Sequence, residues 1–339
     1  MLLLVAVLLV GAEIAGSRSW IRVGGFSIQP AEFAKYGTAL ALASYLSGID
    51  VKLKSLNNLA KAFIIIGIPM VLIVLQGDAG SALVFSSFVL VMYKEGLTPL
   101  VLVVGIIAAL IFVATLVFGT LKLSIVVLVL LLVFYAFYYT RKKLLFPAFI
   151  IAVVISAFSL SVDFLFNNVL QEHQQKRILV TLNLLEDKLG AGYNVNQSKI
   201  AIGSGGFSGK GYLNGSHTKG DFIPEQTTDF IFCTIGEEGG WLVSSLTVML
   251  FTLLILRLYH LSSRAKKKFK QIFIFSLASI LFFHLTVNIG MTIGLMPVIG
   301  IPLPLVSYGG SSILAFCIFF FTALKMDATR DEDLVSTYL

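Results

Sequence analysis

The chain has 339 residues, 57% of them hydrophobic and 13% charged, and its mean hydropathy is +0.93. A soluble domain of this size cannot hide so much apolar surface, so the bilayer is the solvent for most of it. The net charge of +7 would suggest nucleic acid in a soluble protein, but the cations here sort by membrane side, and no nucleic-acid partner is implied.

Taken in chain order, Met1 to Val10 is apolar, and no basic segment precedes it as a cleavable leader would require. The run spans only if it continues through Ala15, which carries Glu13 into the membrane, because a span takes roughly 20 residues. A start lost upstream is the expectation. Further apolar runs follow at 30–48, 59–76, 79–93, 98–119, 121–140, 144–166, 229–258, 271–293 and 311–325, bounded by Gly, Pro or charge. Lipid favours helices, since an open sheet leaves backbone groups unsatisfied there. The expected fold is therefore all-α, a polytopic membrane protein of about ten transmembrane helices.

Lysine and arginine orient these runs. If the first run exits outward, the inner loops collect Lys52, Lys54, Lys61, Lys94, Arg141, Lys142 and Lys143. They also collect Arg257, Arg264, Lys266, Lys267, Lys268, Lys270, Lys325 and Arg330. The short outer loops keep only Arg18, Arg22 and Lys122. One long polar loop, 167–228, then lies outside the cytoplasm. The turn-rich stretches Gly16–Gln29 and Met296–Gly310 join it on that face, as does Gln76-Gly77-Asp78-Ala79-Gly80. The chemistry is expected at the outer face.

Glu32 and Lys35, three apart near the outer end of the run at 30–48, can pair along one helix face. Alternatively, Lys35 reaches an anionic headgroup with Glu32 positioning it. Arg18 and Arg22 flank Trp20, which suits interfacial anchoring. The stretch 203–211, GSGGFSGKG, invites a phosphate-loop reading but departs from that motif at both ends, and no strand precedes it. Close backbone approach to a substrate phosphate stays open, since glycine permits it. Asp229 opens the run at 229–258, where it is either an N-cap or a poorly hydrated carboxylate suited to general-base work. Glu237 and Glu238, deeper on the same run, are read as hydrogen-bonding between helices, although intramembrane acids are functional candidates. His284 and Asn288, at i and i+4, receive the same reading rather than a metal site. Pro297, Pro302 and Pro304 forbid a regular helix in an apolar stretch, which implies a shaped cavity at the outer face. Cys233 and Cys317 sit in apolar runs with no ligand spacing.

These blocks together resemble a known family. GSRSWIRVGGFSIQPAEFAK at 16–35, QSKIAIGSGGFSGKGYLNG at 197–215, IPEQTTDFIFCTIGEE at 223–238 and NIGMTIGLMPVIGIPLPLVSYGGSS at 288–312 are similar to the signatures of the SEDS proteins (shape, elongation, division and sporulation). Within that family, QSKIAIGSGG, the GKG and IPLPLVSYGG resemble the RodA branch rather than the FtsW branch. Members usually carry two more helices before the first run, and one apolar run where this chain has three between Lys94 and Asp163. A helical hairpin inserted at about 98–140 is the expectation. The usual QPDLG reads QGDAG at 76–80, with Asp78 in place.

The resemblance implies a peptidoglycan glycosyltransferase of the bacterial cytoplasmic membrane. It would polymerise lipid II into β-1,4 glycan strands during elongation and shape maintenance. Asp229 maps onto the family aspartate that deprotonates the acceptor hydroxyl in one inverting displacement. Arg18, Arg22, Lys35, Lys199 and Lys210 are candidates to steady the leaving pyrophosphate. Glu32, Asp78, Glu225 and Ser307 complete the candidate substrate-binding set. No cofactor is evident, and a divalent cation, Mg or Mn, is an open addition. Expected partners are a class B penicillin-binding transpeptidase and other elongation-complex proteins. Two other function classes stay open. A lipid II flippase would need polar residues through the full membrane depth, and a scaffold would leave Asp229 without a role.

Overall fold

The computed structural model describes residues 1–14, 17–23, 26–138, 142–168, 170, 172–182, 184, 185, 192–220 and 222–330. It divides into two compact units, Met1–Thr98 with Asn194–Leu339, and Pro99–Tyr193.

The first unit opens with α1 (Leu2–Val10), β1 (Ala12–Ile14), β2 (Ser17–Val23), β3 (Phe26–Ile28), α2 (Pro30–Leu46), α3 (Leu56–Leu75), α4 (Ala79–Val84) and α5 (Phe88–Lys94). The second contains α6 (Pro99–Phe118), α7 (Thr120–Tyr138), α8 (Lys142–Asn168) and α9 (Glu172–Thr181). The first resumes with α10 (Tyr193–Ser204), α11 (Ser216–Lys219), α12 (Ile231–Arg264), α13 (Lys268–Thr292) and α14 (Gly310–Ala328). Among the described residues, seven helices are long and apolar enough to cross a membrane. The broken pair α4–α5 forms a shorter apolar helix beside them. The protein is an all-α membrane protein, as hydropathy implies.

One element departs from that reading. The stretch expected to be turns is a small antiparallel sheet in the order β1-β2-β3, with Trp20 opposite Ala12 and Arg22 opposite Ser27. Val23 and Phe26 pair across the Gly24-Gly25 dipeptide, and such a two-glycine spacing between strand-forming residues is a hairpin signal. Arg141, expected on the inner side, lies outside the described residues.

In the first unit α13 is the central helix, packed by α2, α5, α12 and α14. Lipid tails are as apolar as leucine, so close packing rather than hydrophobic burial holds such helices together. Accordingly α13 buries the small residues Ser276, Ala278, Ser279 and Gly290. It also buries two polar side chains, His284 and Asn288, at 1% and 0% exposure. A polar group so placed is costly unless bonded, and both reach the same irregular segment beyond α13.

The two ends of this unit differ in chemistry. At one end Lys94 donates to Ser262 (2.6 Å) and lies 4.2 Å from the Phe275 ring. Lys268 pairs with Glu95, and Arg264 with Asp327, at that same end. At the other end meet the sheet, the 76–80 turn, the 296–308 segment and the start of α12, as the next section describes. Cysteine labelling checks the orientation. With Cys233 and Cys317 replaced, a cysteine at Tyr212, which is 83% exposed, is expected to react with an impermeant maleimide in intact cells. One at Lys266 is expected to react only after permeabilisation, and the reverse pattern would invert the topology.

The second unit is a helix bundle of its own, in which α7 and α8 run together and α6 packs on both. Gly119, at φ +80°, lies between α6 and α7, so 98–138 forms a helical hairpin. Its polar tie is Thr115, which donates to Ser159 (3.0 Å), both nearly fully buried.

Candidate active site

Helix α12 begins at Ile231, with Phe230 at the cap position and no side-chain cap bond. Asp229 therefore precedes the cap. The Phe230 N–H bonds instead to the Glu225 carbonyl (3.0 Å), which closes a turn over 225–230. Inside that turn the exposed Glu225 carboxylate accepts from Thr228 Oγ1 (2.8 Å). The half-buried Asp229 is thus presented by a turn, and its identity is not used to start the helix.

Other elements fix its backbone. Asn288 Nδ2 donates to the carbonyls of Asp229 and Ile301, both at 2.8 Å. Ser307 Oγ donates to the Thr228 carbonyl (2.6 Å) and accepts from Leu303 N (2.8 Å), while Tyr308 N donates to the Thr227 carbonyl (2.9 Å). Ser307 is therefore a brace between the proline-rich segment and the 227–229 turn. Gly300 occupies the left-handed region at φ +71°, and a Cβ there would stand 3.2 Å from Asp229 Oδ2. The carboxylate consequently faces a backbone surface without a side chain.

The 76–80 turn arrives from the other side. Asp78 caps α4, its Oδ1 accepting from Ser81 N (2.9 Å) and its Oδ2 from Gln29 Nε2 (2.7 Å). Gly80 packs so closely on the Ile299 and Gly300 carbonyls that a Cβ would collide. Asp78 thus shapes a helix start that abuts the segment facing Asp229. Gln76 bonds Leu4 O (2.9 Å) through its side chain and Arg18 N (2.9 Å) through its carbonyl, tying α1 and the sheet to this turn. Gln29 and Gln76 escaped the sequence reading, because a neutral amide in a loop carries no local signal.

The glycine-rich stretch has a different occupant from a phosphate. Gly240, at φ +66°, breaks α12 and frees the carbonyls one turn before it. Lys210 N and Gly211 N donate to the Glu237 and Glu238 carbonyls (both 3.0 Å), and Trp241 N and Leu242 N donate back to Gly206 and Phe207 (2.9 and 3.1 Å). The glycines let two backbones touch. Glu237 is fully buried there, accepting from Lys210 Nζ (2.7 Å), His217 N (2.9 Å), Thr218 N (2.9 Å) and Thr218 Oγ1 (2.7 Å). Its partners belong to the loop, which corrects the interhelical reading given to it.

The candidate cations separate into two groups. Lys210 is tied to Glu237, and Lys35 to Glu32 (2.7 Å) with both at or below 4% exposure. Arg18, Arg22 and Lys199 present exposed side chains. Lys199 lies across Gly294, just past the end of α13, where a Cβ would collide with its ammonium. Among the described residues no three His, Cys, Asp or Glu side chains gather to hold a metal ion. A groove of about 610 Å³ beside Trp241 and Met249 is bordered by Gly203 and Gly206 of the glycine-rich stretch and by none of the candidate charged residues.

The chain is similar to known proteins along nearly its whole length. The profile of the FtsW/RodA/SpoVE cell cycle protein family matches residues 1–122 and 95–331. The peptidoglycan glycosyltransferase MrdB of Escherichia coli is 33% identical over 97% of this chain and 76% of its own. The peptidoglycan glycosyltransferase RodA of Treponema pallidum is 34% identical over 92% of this chain and 77% of its own. Among solved structures, a chain of a peptidoglycan synthase complex that coordinates polymerization and crosslinking superposes with a TM-score of 0.67. It is 27% identical and the match covers 97% of this chain and 78% of that one. The crystal structure of Thermus thermophilus RodA gives a TM-score of 0.57 at 26% identity, over 97% and 75% of the two chains.

Proposed function

The chain belongs to the FtsW/RodA/SpoVE family of cell cycle proteins, and from that membership we propose that it is the peptidoglycan glycosyltransferase that lengthens glycan strands from lipid II at the outer face of the bacterial inner membrane. The observation that carries the mechanism is the placement of Asp229, held in a turn before α12 with its backbone gripped by Asn288 and its carboxylate against Gly300. A general base needs a fixed carboxylate open on one side to the proton it removes. Asp229 takes the proton of the acceptor GlcNAc 4-hydroxyl, whose oxygen attacks the donor anomeric carbon opposite the α-linked pyrophosphate. The β-1,4 bond forms, and undecaprenyl pyrophosphate leaves with the bonding electron pair. Arg18, Arg22 and Lys199 are the exposed cations that would steady its charge. A divalent cation, Mg or Mn, would add to that charge stabilisation. The partner is a class B penicillin-binding transpeptidase, a reading supported by the synthase complex among the solved relatives.

The test is polymerisation of labelled lipid II by the purified protein, alone and reconstituted with such a transpeptidase. Lysozyme-sensitive glycan ladders are expected in the reconstituted sample. Transbilayer movement of lipid II with no polymer in either sample would make the protein a transporter instead.

A further inference from the structure

A set of buried polar groups in the first unit forms a directed chain that ends at the site. Lys35 Nζ, on α2, donates to Glu32 Oε1 (2.7 Å) and lies 3.2 Å from His284 Nε2 on α13. His284 Nδ1 lies 2.9 Å from the Pro302 carbonyl. A carbonyl oxygen can only accept, so Nδ1 must carry the proton. An ammonium has donors only, so Nε2 must present its lone pair to Lys35. The two neighbours thereby set the tautomer and fix the ring, which also stands edge-on to Phe316 with centroids 5.6 Å apart. One helical turn along α13, Asn288 holds the Ile301 and Asp229 carbonyls. His284 and Asn288 thus grip adjacent residues of the segment that sets Gly300 against Asp229.

We infer that Lys35, His284 and Asn288 are positioning residues for the Asp229 carboxylate. Lys35 and His284 act through the irregular 300–303 backbone, and Asn288 also holds Asp229 by its carbonyl; none of the three acts by touching substrate. Lys35 is 2% exposed and His284 1%, which suits a relay inside the protein and not a phosphate contact. Its donors run one way, from Lys35 through His284 to Pro302. The inference rests on the glycosyltransferase reading for its kinetic consequence and on geometry alone for its structural one.

The experiment measures both. In the reconstituted complex, His284→Leu and Lys35→Met are each expected to lower polymerisation kcat by about 10–100-fold, since misplacing a catalytic group by about 1 Å costs that order. KM for lipid II should stay within about 3-fold, because uniform substrate binding is untouched. The double variant should fall no further than the worse single one, as residues of one network are not additive. His284→Gln keeps an N–H for Pro302 and an oxygen for Lys35, and is expected to restore most of the rate. A KM increase for Lys35→Met, or additive losses, would overturn the inference and place Lys35 on the substrate. In parallel, hydrogen exchange on the same proteins should show faster exchange at the Leu303 and Tyr308 amides in His284→Leu and normal exchange in His284→Gln. This readout stands even if the wild-type protein makes no polymer, a result that would sink the glycosyltransferase reading alone. Unchanged exchange in His284→Leu would refute the relay whatever the activity.

Discussion

Asp229→Asn is expected to lower glycan-strand synthesis by about 10²–10⁴-fold, the range typical of a lost general base, in a protein that still folds and still binds its transpeptidase. The structure sharpens this expectation. Were Asp229 the N-cap of α12, asparagine would serve nearly as well and activity would persist. The helix instead starts at Ile231 behind Phe230. The grip on residue 229 comes through its carbonyl, which asparagine also possesses. Asparagine keeps the volume and the backbone contacts and removes only the basic oxygen. Glycan synthesis by the purified reconstituted complex, with a melting curve for the variant, separates chemistry from stability. Near-normal synthesis would end the mechanism, and Glu225, exposed in the same turn, would be the next carboxylate to test.

Glu237→Leu should release the outer loop. Its carboxylate is fully buried and satisfies the Lys210 ammonium, two backbone N–H groups and the Thr218 hydroxyl. Removing it costs about 3–4 kcal/mol, because two backbone N–H groups and a hydroxyl lose their acceptor at about 1 kcal/mol or more each, while the partly exposed Lys210 ammonium regains water. Local opening of 205–220 should therefore become about 10²–10³-fold more frequent, while helices elsewhere keep their protection. Limited trypsin digestion reports this directly, since Lys210 and Lys219 lie in the segment. Rapid cleavage there in the variant is expected, with the wild-type protein resistant. Equal cleavage in both would show that the backbone bonds from Lys210 and Gly211 to the α12 carbonyls hold the loop without the carboxylate. Glu237→Gln, which keeps an acceptor, should fall between the two.

Much of this molecule is legible without coordinates, and the reasons are local. Hydropathy is a property of consecutive residues, so the membrane class and the apolar runs follow from the chain alone. The run at 59–76 is Leu56–Leu75, and that at 271–293 is Lys268–Thr292. The lysine and arginine asymmetry separates a basic end from an end rich in glycine, proline and acids. Prolines 297, 302 and 304 announce an irregular segment, and Asp229 stands at the edge of a span where a functional carboxylate is expected. The antiparallel sheet at 12–28 was harder, because three short strands beside glycines look like turns until their partners are known.

What only the tertiary structure decided depends on partners far away in sequence. Whether Asp229 caps a helix or precedes the cap turned on the 225–230 turn and on Asn288, 59 residues on. The glycine-rich stretch could cradle a phosphate or another backbone, and the kink at Gly240 decided for the backbone by freeing carbonyls that a regular helix would have used. Glu237 could have faced another helix, but the loop folds back and supplies its donors. Lys35 could have faced lipid headgroups, yet His284, 249 residues away, completes its coordination inside the protein. In each case the residue type determined which bonds were possible. At Glu237 and Lys35, burial then favoured making those bonds, because an unpaired charge in an apolar interior is costly, and chain topology chose the partner.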